Sequence, residues 1–425
     1  MRRKQKVETK GRKKILAVLL AGAITGILPG CVRQTDTPIV SVKTEQFQEN
    51  QGGYQEISEE GSEDEKTIRE QAEAPETYTL DIRREDMTIM GSVNVEVPEG
   101  NGIPEAEVQY TPYTDEELEK IKAVLEEEAG ITQWSLKSQE NPVTYTSQDE
   151  TYVLSLAKGS KGSTGDMPMV WLSCSDISDG RSTKGDENDL SDFSMPEDDR
   201  LRFQKDMEER AEILMEKMGM KDFCLEDARW RPLSVSRNYT WHQSGEYGIH
   251  LSYGRMVGDM PLVNSQRGYT MSEALAPAQY VEFLYGEDGR LLSVKNIGRE
   301  QIRVTSGHTK FLLPFASVCQ VFEQCMKTLQ TDWGAGAEAF QEEELPGTNP
   351  HLYLTVTDVK LAYRLEYDEW DPKTFEIGGG KGKLVPVCAF YGKVRRGYED
   401  QNRAEAKKVL LLMVNAENGT IYGQE

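Results

Sequence analysis

Alternation of apolar and polar residues predicts antiparallel strands from about residue 78 onward. Segments 78–82 and 93–97 carry an apolar side chain at every second position, which is typical of half-buried strands. Residues 150–157 and 168–174 also predict strands, and the polar segment KGSKGSTGD lies between them. That segment lacks the spacing of a phosphate-binding loop, so we interpret it as a hairpin connection.

Three segments have the 3.6-residue apolar period of helices that pack on a core. Their starts are marked by residues that cap helices: Thr114 with Glu117, Ser194 with Glu197, and Pro314. Gly130 and Gly219 suit the left-handed conformation in which many helices end. We therefore expect helices at about residues 115–129, 195–218 and 314–329.

The second and third helices are each followed by similar elements in the same order. In each case there is a strand, then a strand ending in Tyr-Gly-basic, then a hairpin with Asp-Gly or Asn-Gly at its turn. The corresponding segments are 223–236 and 351–367, 251–255 and 389–393, and the turns Asp288-Gly289 and Asn418-Gly419. Both turns predict type I′ geometry, in which the two central residues have positive φ.

This order predicts an α+β fold, with tandem helix-plus-antiparallel-sheet units that follow a disordered tether. We place an N-terminal α+β domain at residues 77–192, a first repeat at 193–305 and a second repeat at 306–425. Residues 1–30 and 31–76 precede these domains and have a different character.

The N-terminus has the pattern of a secretory signal peptide. Its first 14 residues carry eight Lys or Arg, and an uncharged stretch follows at 15–28. The stretch leads into Leu28-Pro29-Gly30-Cys31, which resembles the lipobox of bacterial lipoproteins. The resemblance implies a diacylglyceryl group on the Cys31 thiol and cleavage between Gly30 and Cys31. An uncleaved anchor without lipid is the alternative.

A diacylated Cys31 would hold the chain on the extracellular face of the cell membrane. Each buried methylene contributes about 0.8 kcal/mol, and a single acyl chain binds only reversibly, so two chains are needed for stable anchoring. The lipid bilayer is therefore the first predicted partner. Residues 32–76 contain twelve acidic and four basic residues without an apolar period, which predicts a disordered, extended tether.

The C-terminal segment resembles a second group of proteins. VPVCAFYG at 385–392, followed by VNAENG at 414–419, is similar to the last hairpin of PepSY-like and two-component regulatory lipoprotein domains. Their pattern is PVW-x-F…VNA-x-[DN]G, and this chain has Cys388 in place of the Trp. More broadly, the chain resembles uncharacterised lipoproteins of Gram-positive bacteria. PepSY-like domains imply binding or inhibition, not catalysis.

The charge of the chain excludes nucleic acid as a partner. The 425 residues include 72 acidic and 49 basic side chains, for a net charge of −23. Binding to nucleic acid requires a cationic surface that neutralises phosphates.

The cysteines other than Cys31 do not form a metal-binding motif. They are five in number and contain no CxxC: Cys174, Cys224, Cys319, Cys325 and Cys388. We predict that most are buried as small apolar residues. One long-range disulfide among them is the alternative. Cys319 and Cys325 cannot pair with each other, because six helical residues separate them by about 9 Å.

No other residue pattern predicts a reaction, a metal or a cofactor. The four histidines form no HExxH pair, and the chain has no GxSxG motif. Asp186, Asn188 and Asp189 are compatible with a loose cation site or with a flexible loop. Five tryptophans could stack on sugar, although core packing is the alternative for most of them: Trp134, Trp230, Trp241, Trp333 and Trp370.

These observations predict a membrane-anchored extracellular lipoprotein whose folded part binds or senses an unknown protein or cell-envelope partner. No catalytic residue, metal or cofactor is assigned. The competing hypothesis is an extracellular hydrolase that uses a pair of carboxylates on cell-wall or dietary polymer.

Overall fold

The computed structural model describes ten segments of the chain. They are residues 66–159, 167–179, 193–237, 240–263, 279–308, 311–328, 351–371, 376–377, 380–397 and 408–422. The signal peptide, Cys31 and residues 32–65 of the predicted tether lie outside these segments. So do the polar loop at 160–166 and the acidic residues at 186–189.

Four helices occur in these segments. Their bounds are α1 Ile68–Gln71, α2 Asp115–Ala129, α3 Glu197–Met218 and α4 Phe315–Thr328. The Thr114 and Glu117 capping box is confirmed, as is the left-handed end at Gly130. Within the described residues, no helix is both long and apolar enough to cross a membrane.

Twenty strands make up most of the remaining described chain. They are β1 Thr77–Arg83, β2 Met87–Glu96, β3 Pro104–Tyr110, β4 Trp134–Ser138, β5 Val143–Ser147, β6 Tyr152–Ala157, β7 Met169–Cys174, β8 Ile177–Asp179, β9 Phe223–Arg237, β10 Thr240–Val257, β11 Met260–Pro261, β12 Tyr280–Gly286, β13 Leu291–Ile297, β14 Glu300–His308, β15 His351–Tyr367, β16 Trp370–Asp371, β17 Glu376–Ile377, β18 Lys381–Gly397, β19 Lys408–Asn415 and β20 Ile421–Tyr422.

The strands form two large sheets and one small hairpin. The eight-stranded sheet has the order β1-β2-β15-β18-β19-β20, with β3 joining β18 to β14. The ten-stranded sheet has the order β4-β5-β6-β7-β13-β12-β10-β9-β8, with β11 paired to β10. All the pairs in the two sheets are antiparallel except β2 with β15. The predicted α+β class is confirmed.

One helix followed by a four-stranded antiparallel meander occurs three times. Unit I consists of α2 with β4, β5, β6 and β7; unit II of α3 with β9, β10, β12 and β13; and unit III of α4 with β15, β18, β19 and β20. Units II and III lie within the segments that the sequence analysis took as two repeats. Unit I is a third copy of the topology that the sequence pattern did not indicate.

A β-bulge in the first strand also recurs in all three units. The extra residue is Lys137 in unit I, Glu226 in unit II and Thr357 in unit III. In units II and III the bulge lies opposite the Tyr-Gly-basic sequence. A Cβ atom added to Gly254 would lie 1.8 Å from a carboxylate oxygen of Glu226, and one added to Gly392 would lie 2.6 Å from the carbonyl oxygen of Thr355. At Gly392 the backbone of the bulged strand therefore excludes a side chain, whereas at Gly254 the nearest group is the flexible end of the Glu226 side chain.

The type I′ geometry predicted for the two turns is wrong. Gly289 and Gly419 have φ values of 77° and 76°, whereas Asp288 and Asn418 are not among the described residues with positive φ. The first turn closes through Gly286 N–H to the Arg290 carbonyl, a three-residue loop with a left-handed glycine at its end. The second is one residue longer. Each loop therefore has one residue with positive φ, its glycine, instead of the two that type I′ geometry requires.

The predicted domain boundaries do not coincide with the sheets. Residues 77–192, taken as one domain, supply β1–β3 to the eight-stranded sheet and β4–β8 to the ten-stranded sheet. The physical reason is the parallel pairing of β2 with β15, which joins segments more than 250 residues apart in the chain. Such long-range pairing leaves no local signal in the sequence.

Two further expectations need correction. Residues 66–76, assigned to the tether, are part of the fold, because Thr67 and Glu70 cap α1 and Ile68, Ala72 and Ala74 are buried. At α3, Pro196 rather than Ser194 is the N-cap residue, and none of the side chains that the structure describes caps that end.

Each large sheet has its own apolar core. Units I and II share one core, in which α2 and α3 cover one face of the ten-stranded sheet, and β7 pairs with β13 to join the units. Unit III and the strands β1–β3 share the other core, under α4. The opposite face of the ten-stranded sheet is not covered by these helices, and it contains the candidate site.

Candidate functional site

The residues assigned to lipidation and cleavage, Leu28, Gly30 and Cys31, lie outside the described part of the chain. Of the histidines, His250 is buried on β10, and His351 on β15 contacts the hydroxyl of Thr88 at 2.9 Å. No group of three or more His, Cys, Asp or Glu is placed to hold a metal ion within the described residues.

The five cysteines of the folded part are thiols, and no disulfide is formed between them in the described segments. Four are buried, as expected: Cys174, Cys319, Cys325 and Cys388. Burial raises the pKa of the Cys325 thiol to about 11 and that of the Cys388 thiol to about 12. Such thiols are poor nucleophiles at neutral pH, because the thiolate is the reactive form.

Two of the tryptophans considered for sugar stacking pack into the core instead. Trp134 lies against Tyr145, with ring centroids 6.4 Å apart, and Trp230 lies against Phe193 and Phe203. The side chains of Trp241, Trp333 and Trp370 are outside the described residues. Among the tryptophans whose side chains the structure describes, Trp171 is the exposed one, and the sequence analysis did not single it out.

Trp171 lies on β7, the strand that joins units I and II, with its side chain on the face away from α2 and α3. The side chain alternates with the buried Val170 and Leu172, and the residue is 45% exposed. Its cross-strand neighbours are Ser155 on β6 and Lys295 on β13.

We call this surface the Trp171 face and define it as one row of cross-strand neighbours. From β6 to β9 the row is Ser155, Trp171, Lys295, Glu282, Ser252 and Asp227. Neighbouring strands lie about 4.8 Å apart, so each side chain is within reach of the next. The row combines one aromatic ring with hydroxyl, ammonium and carboxylate groups.

Exposure falls steeply along the Trp171 face. Lys295 and Glu282 are half-buried, whereas Ser252 is only 2% exposed. The hydroxyl of Ser252 has no hydrogen-bond partner in the described part of the molecule. Because Ser252 is buried, the part of the Trp171 face that a bound molecule can reach ends at Glu282.

Both carboxylates at the inner end of the row have a basic side chain nearby. His250 Nε2 lies 3.8 Å from Glu282 Oε1, and Arg229 Nε lies 2.8 Å from Asp227 Oδ2. Nearer the surface, the Lys295 ammonium lies over the ring of Tyr280 at 5.5 Å. These contacts orient the polar side chains beside Trp171.

A second unusual group lies between the two sheets. Glu300, at the start of β14, is buried, and its carboxylate accepts hydrogen bonds from the Gln279 backbone N–H at 3.1 Å and from the Tyr367 hydroxyl at 3.4 Å. Gln279 precedes β12 of the ten-stranded sheet, whereas Tyr367 ends β15 of the eight-stranded sheet. Burial raises the pKa of Glu300 to about 7, although the Arg255 guanidinium favours its charged form.

Sequence reasoning missed both Trp171 and Glu300 for different reasons. Apolar residues occur at both odd and even positions of β7, so the sequence of this strand did not show which side chains point away from the core. A comparison with β6, where Ser155 faces outward, would have placed Trp171 on the open face. Glu300 carries no local signal, because its burial results from contacts between distant segments.

Comparisons with known proteins support the fold alone. No protein-family model matches the chain, and no curated protein matches it. Among solved structures, the chain is similar to an uncharacterised protein from Eubacterium rectale, with a TM-score of 0.51 and 11% sequence identity. The similarity covers 85% of this chain and 96% of that chain.

Proposed function

We propose that this chain is a lipid-anchored protein of the extracellular face of a bacterial membrane, and that its folded part binds a partner there. The single observation that supports the binding role is the Trp171 face. An exposed indole in a row of polar side chains offers apolar contact and hydrogen bonds on one rigid sheet, which are the properties of a binding surface.

The anchor is tested by replacing its cysteine. We expect Cys31→Ser to abolish incorporation of a fatty-acid probe when the full chain is expressed in a Gram-positive host, because the serine hydroxyl does not accept the lipid in place of the thiol. The matched control is Cys224→Ser, which should keep the full label. Equal labelling of Cys31→Ser and the parent chain would contradict the proposed anchor.

The binding role is tested by photo-crosslinking from two positions in living cells. A photoreactive amino acid at Ser155, beside Trp171, should give a discrete cross-linked product with the full chain. The control position is Thr79, which is exposed on β1 of the other sheet. Because the two positions share the same anchor and compartment, a product from position 155 alone assigns the contact to the Trp171 face. The same product from both positions, or none from either, would contradict the proposal.

A carboxylate-dependent hydrolase is the second candidate, and one observation favours it. Glu282 and Asp227 flank Ser252 on the Trp171 face, two strand spacings or about 10 Å apart at their backbones. Inverting glycoside hydrolases hold their carboxyl groups about 6.5–9.5 Å apart. If the purified chain cleaved glycan or peptide, and Glu282→Gln abolished that cleavage, the binding proposal would be wrong.

A further inference from the structure

We infer that the Trp171 face binds an uncharged glycan, with one pyranose ring stacked on the indole of Trp171. This inference rests on the proposed binding function and names its ligand class. The shape and the chemical groups of the row favour this class of ligand.

The surroundings of Trp171 match a sugar better than an apolar partner. The core of a protein–protein interface is a cluster of apolar and aromatic residues depleted of charge. Here the cross-strand neighbours of the indole are a serine hydroxyl on one side, from Ser155, and an ammonium group on the other, from Lys295. A pyranose ring has an apolar face of C–H groups and a rim of hydroxyls, so it can stack on the indole and bond to both neighbours.

Lys295 and Glu282 suit the hydroxyl groups of a sugar. A hydroxyl both donates and accepts hydrogen bonds, an ammonium group only donates, and a carboxylate only accepts. The two side chains are direct cross-strand neighbours. Adjacent sugar hydroxyls can therefore bond to both at once.

The charge of the protein favours an uncharged glycan over an anionic one as the ligand. The full chain carries a net charge of −23, which repels polyanions at long range. On the Trp171 face itself, Lys295 is balanced by Glu282, and Asp227 is balanced by Arg229. No excess positive charge remains in this row to attract a phosphate or carboxylate polymer.

The inner end of the row lies beneath the surface. Ser252 is only 2% exposed, so a ligand on the Trp171 face reaches only as far as Lys295 and Glu282. The accessible row, from Trp171 on β7 to Glu282 on β12, spans two strand spacings, about 10 Å.

The inference is tested by calorimetric titration of the full chain, purified in a detergent without a sugar head group. The probes are the β-1,4-linked hexamers of glucose and of N-acetylglucosamine, with hexagalacturonate as the anionic comparison. We expect at least one neutral hexamer to bind more tightly than hexagalacturonate. Trp171→Ala should weaken that binding at least tenfold, and Trp171→Phe should weaken it less.

The matched control is Leu136→Ala. Leu136 is 47% exposed on the same sheet but points to the helix side, so its loss should leave the affinity unchanged. Far-ultraviolet circular dichroism of each variant shows whether it folds. Failure of both neutral hexamers to bind, or equal affinity of a folded Trp171→Ala variant, would overturn the inference. If crosslinking from position 155 persisted in that case, the binding function would stand and only the glycan would be excluded.

Discussion

Phe322→Ala is expected to lower the free energy of unfolding by about 3–5 kcal/mol, which is the usual loss for a large aromatic residue in a core. Phe322 lies on α4, is fully buried, and stacks on Phe390 of β18 with ring centroids 4.0 Å apart. Removing the ring leaves a cavity between the helix and the sheet of unit III. Urea unfolding, followed by circular dichroism, measures the change.

Two comparisons make this result specific. Leu201→Ala removes an apolar side chain that is 58% exposed on α3, and it should change stability by less than about 0.5 kcal/mol. Phe322→Leu keeps most of the volume and should fall between the parent and the alanine variant. Parent-like stability of Phe322→Ala would mean that α4 does not cover the sheet as described.

The helices show how far local sequence information extends. The capping contacts of Thr114, Glu117 and Gly130 are local to α2, so their pattern was sufficient to predict both ends of that helix. The start of α3 was less well predicted, because Ser194 and Glu197 have the spacing of a capping box but Pro196 occupies the capping position. Propensity and spacing are local, whereas the exact first residue depends on how the chain enters the helix.

The three units show what local sequence patterns do not predict. Units II and III were found because both carry a Tyr-Gly-basic sequence opposite the bulge, although close backbone contact requires the glycine only at Gly392. Unit I has the bulge at Lys137 without that glycine, so the same topology carries no shared sequence. The parallel pair of β2 and β15 has no local signal either, which is why the predicted domain boundaries cut across the sheets.

The candidate site was only partly accessible from sequence. The sequence analysis considered sugar stacking for five other tryptophans, of which Trp230 is buried in the core and Trp134 is partly buried against it. The exposure of Trp171 depends on which face of β7 the helices cover. That face is set by the packing of α2 and α3 on the whole sheet and not by the six residues of the strand.

Glu300→Gln is expected to flatten the dependence of stability on pH between about 5 and 8. Burial raises the pKa of Glu300 from the ordinary 4.5 to about 7 in the folded state. The folded chain therefore holds a proton that the unfolded chain releases, and the stabilisation from it is complete below pH 4.5 and lost as the pH rises through 7. At about 1.4 kcal/mol per pKa unit, the parent should lose on the order of 3 kcal/mol across this range.

The groups around Glu300 can also bond to the side-chain amide of a glutamine at this position. The groups that face it are the Gln279 backbone N–H, the Tyr367 hydroxyl and the Arg255 guanidinium, and all three can bond to an uncharged side-chain oxygen or amide. Glu300→Gln should therefore match the parent near pH 5 and exceed its stability near pH 8. The control, Glu105→Gln, replaces an exposed carboxylate on neighbouring β3 and should keep the slope of the parent. Parallel stability curves for Glu300→Gln and the parent, measured by urea unfolding at four or five pH values, would show that this carboxylate stays charged between the two sheets.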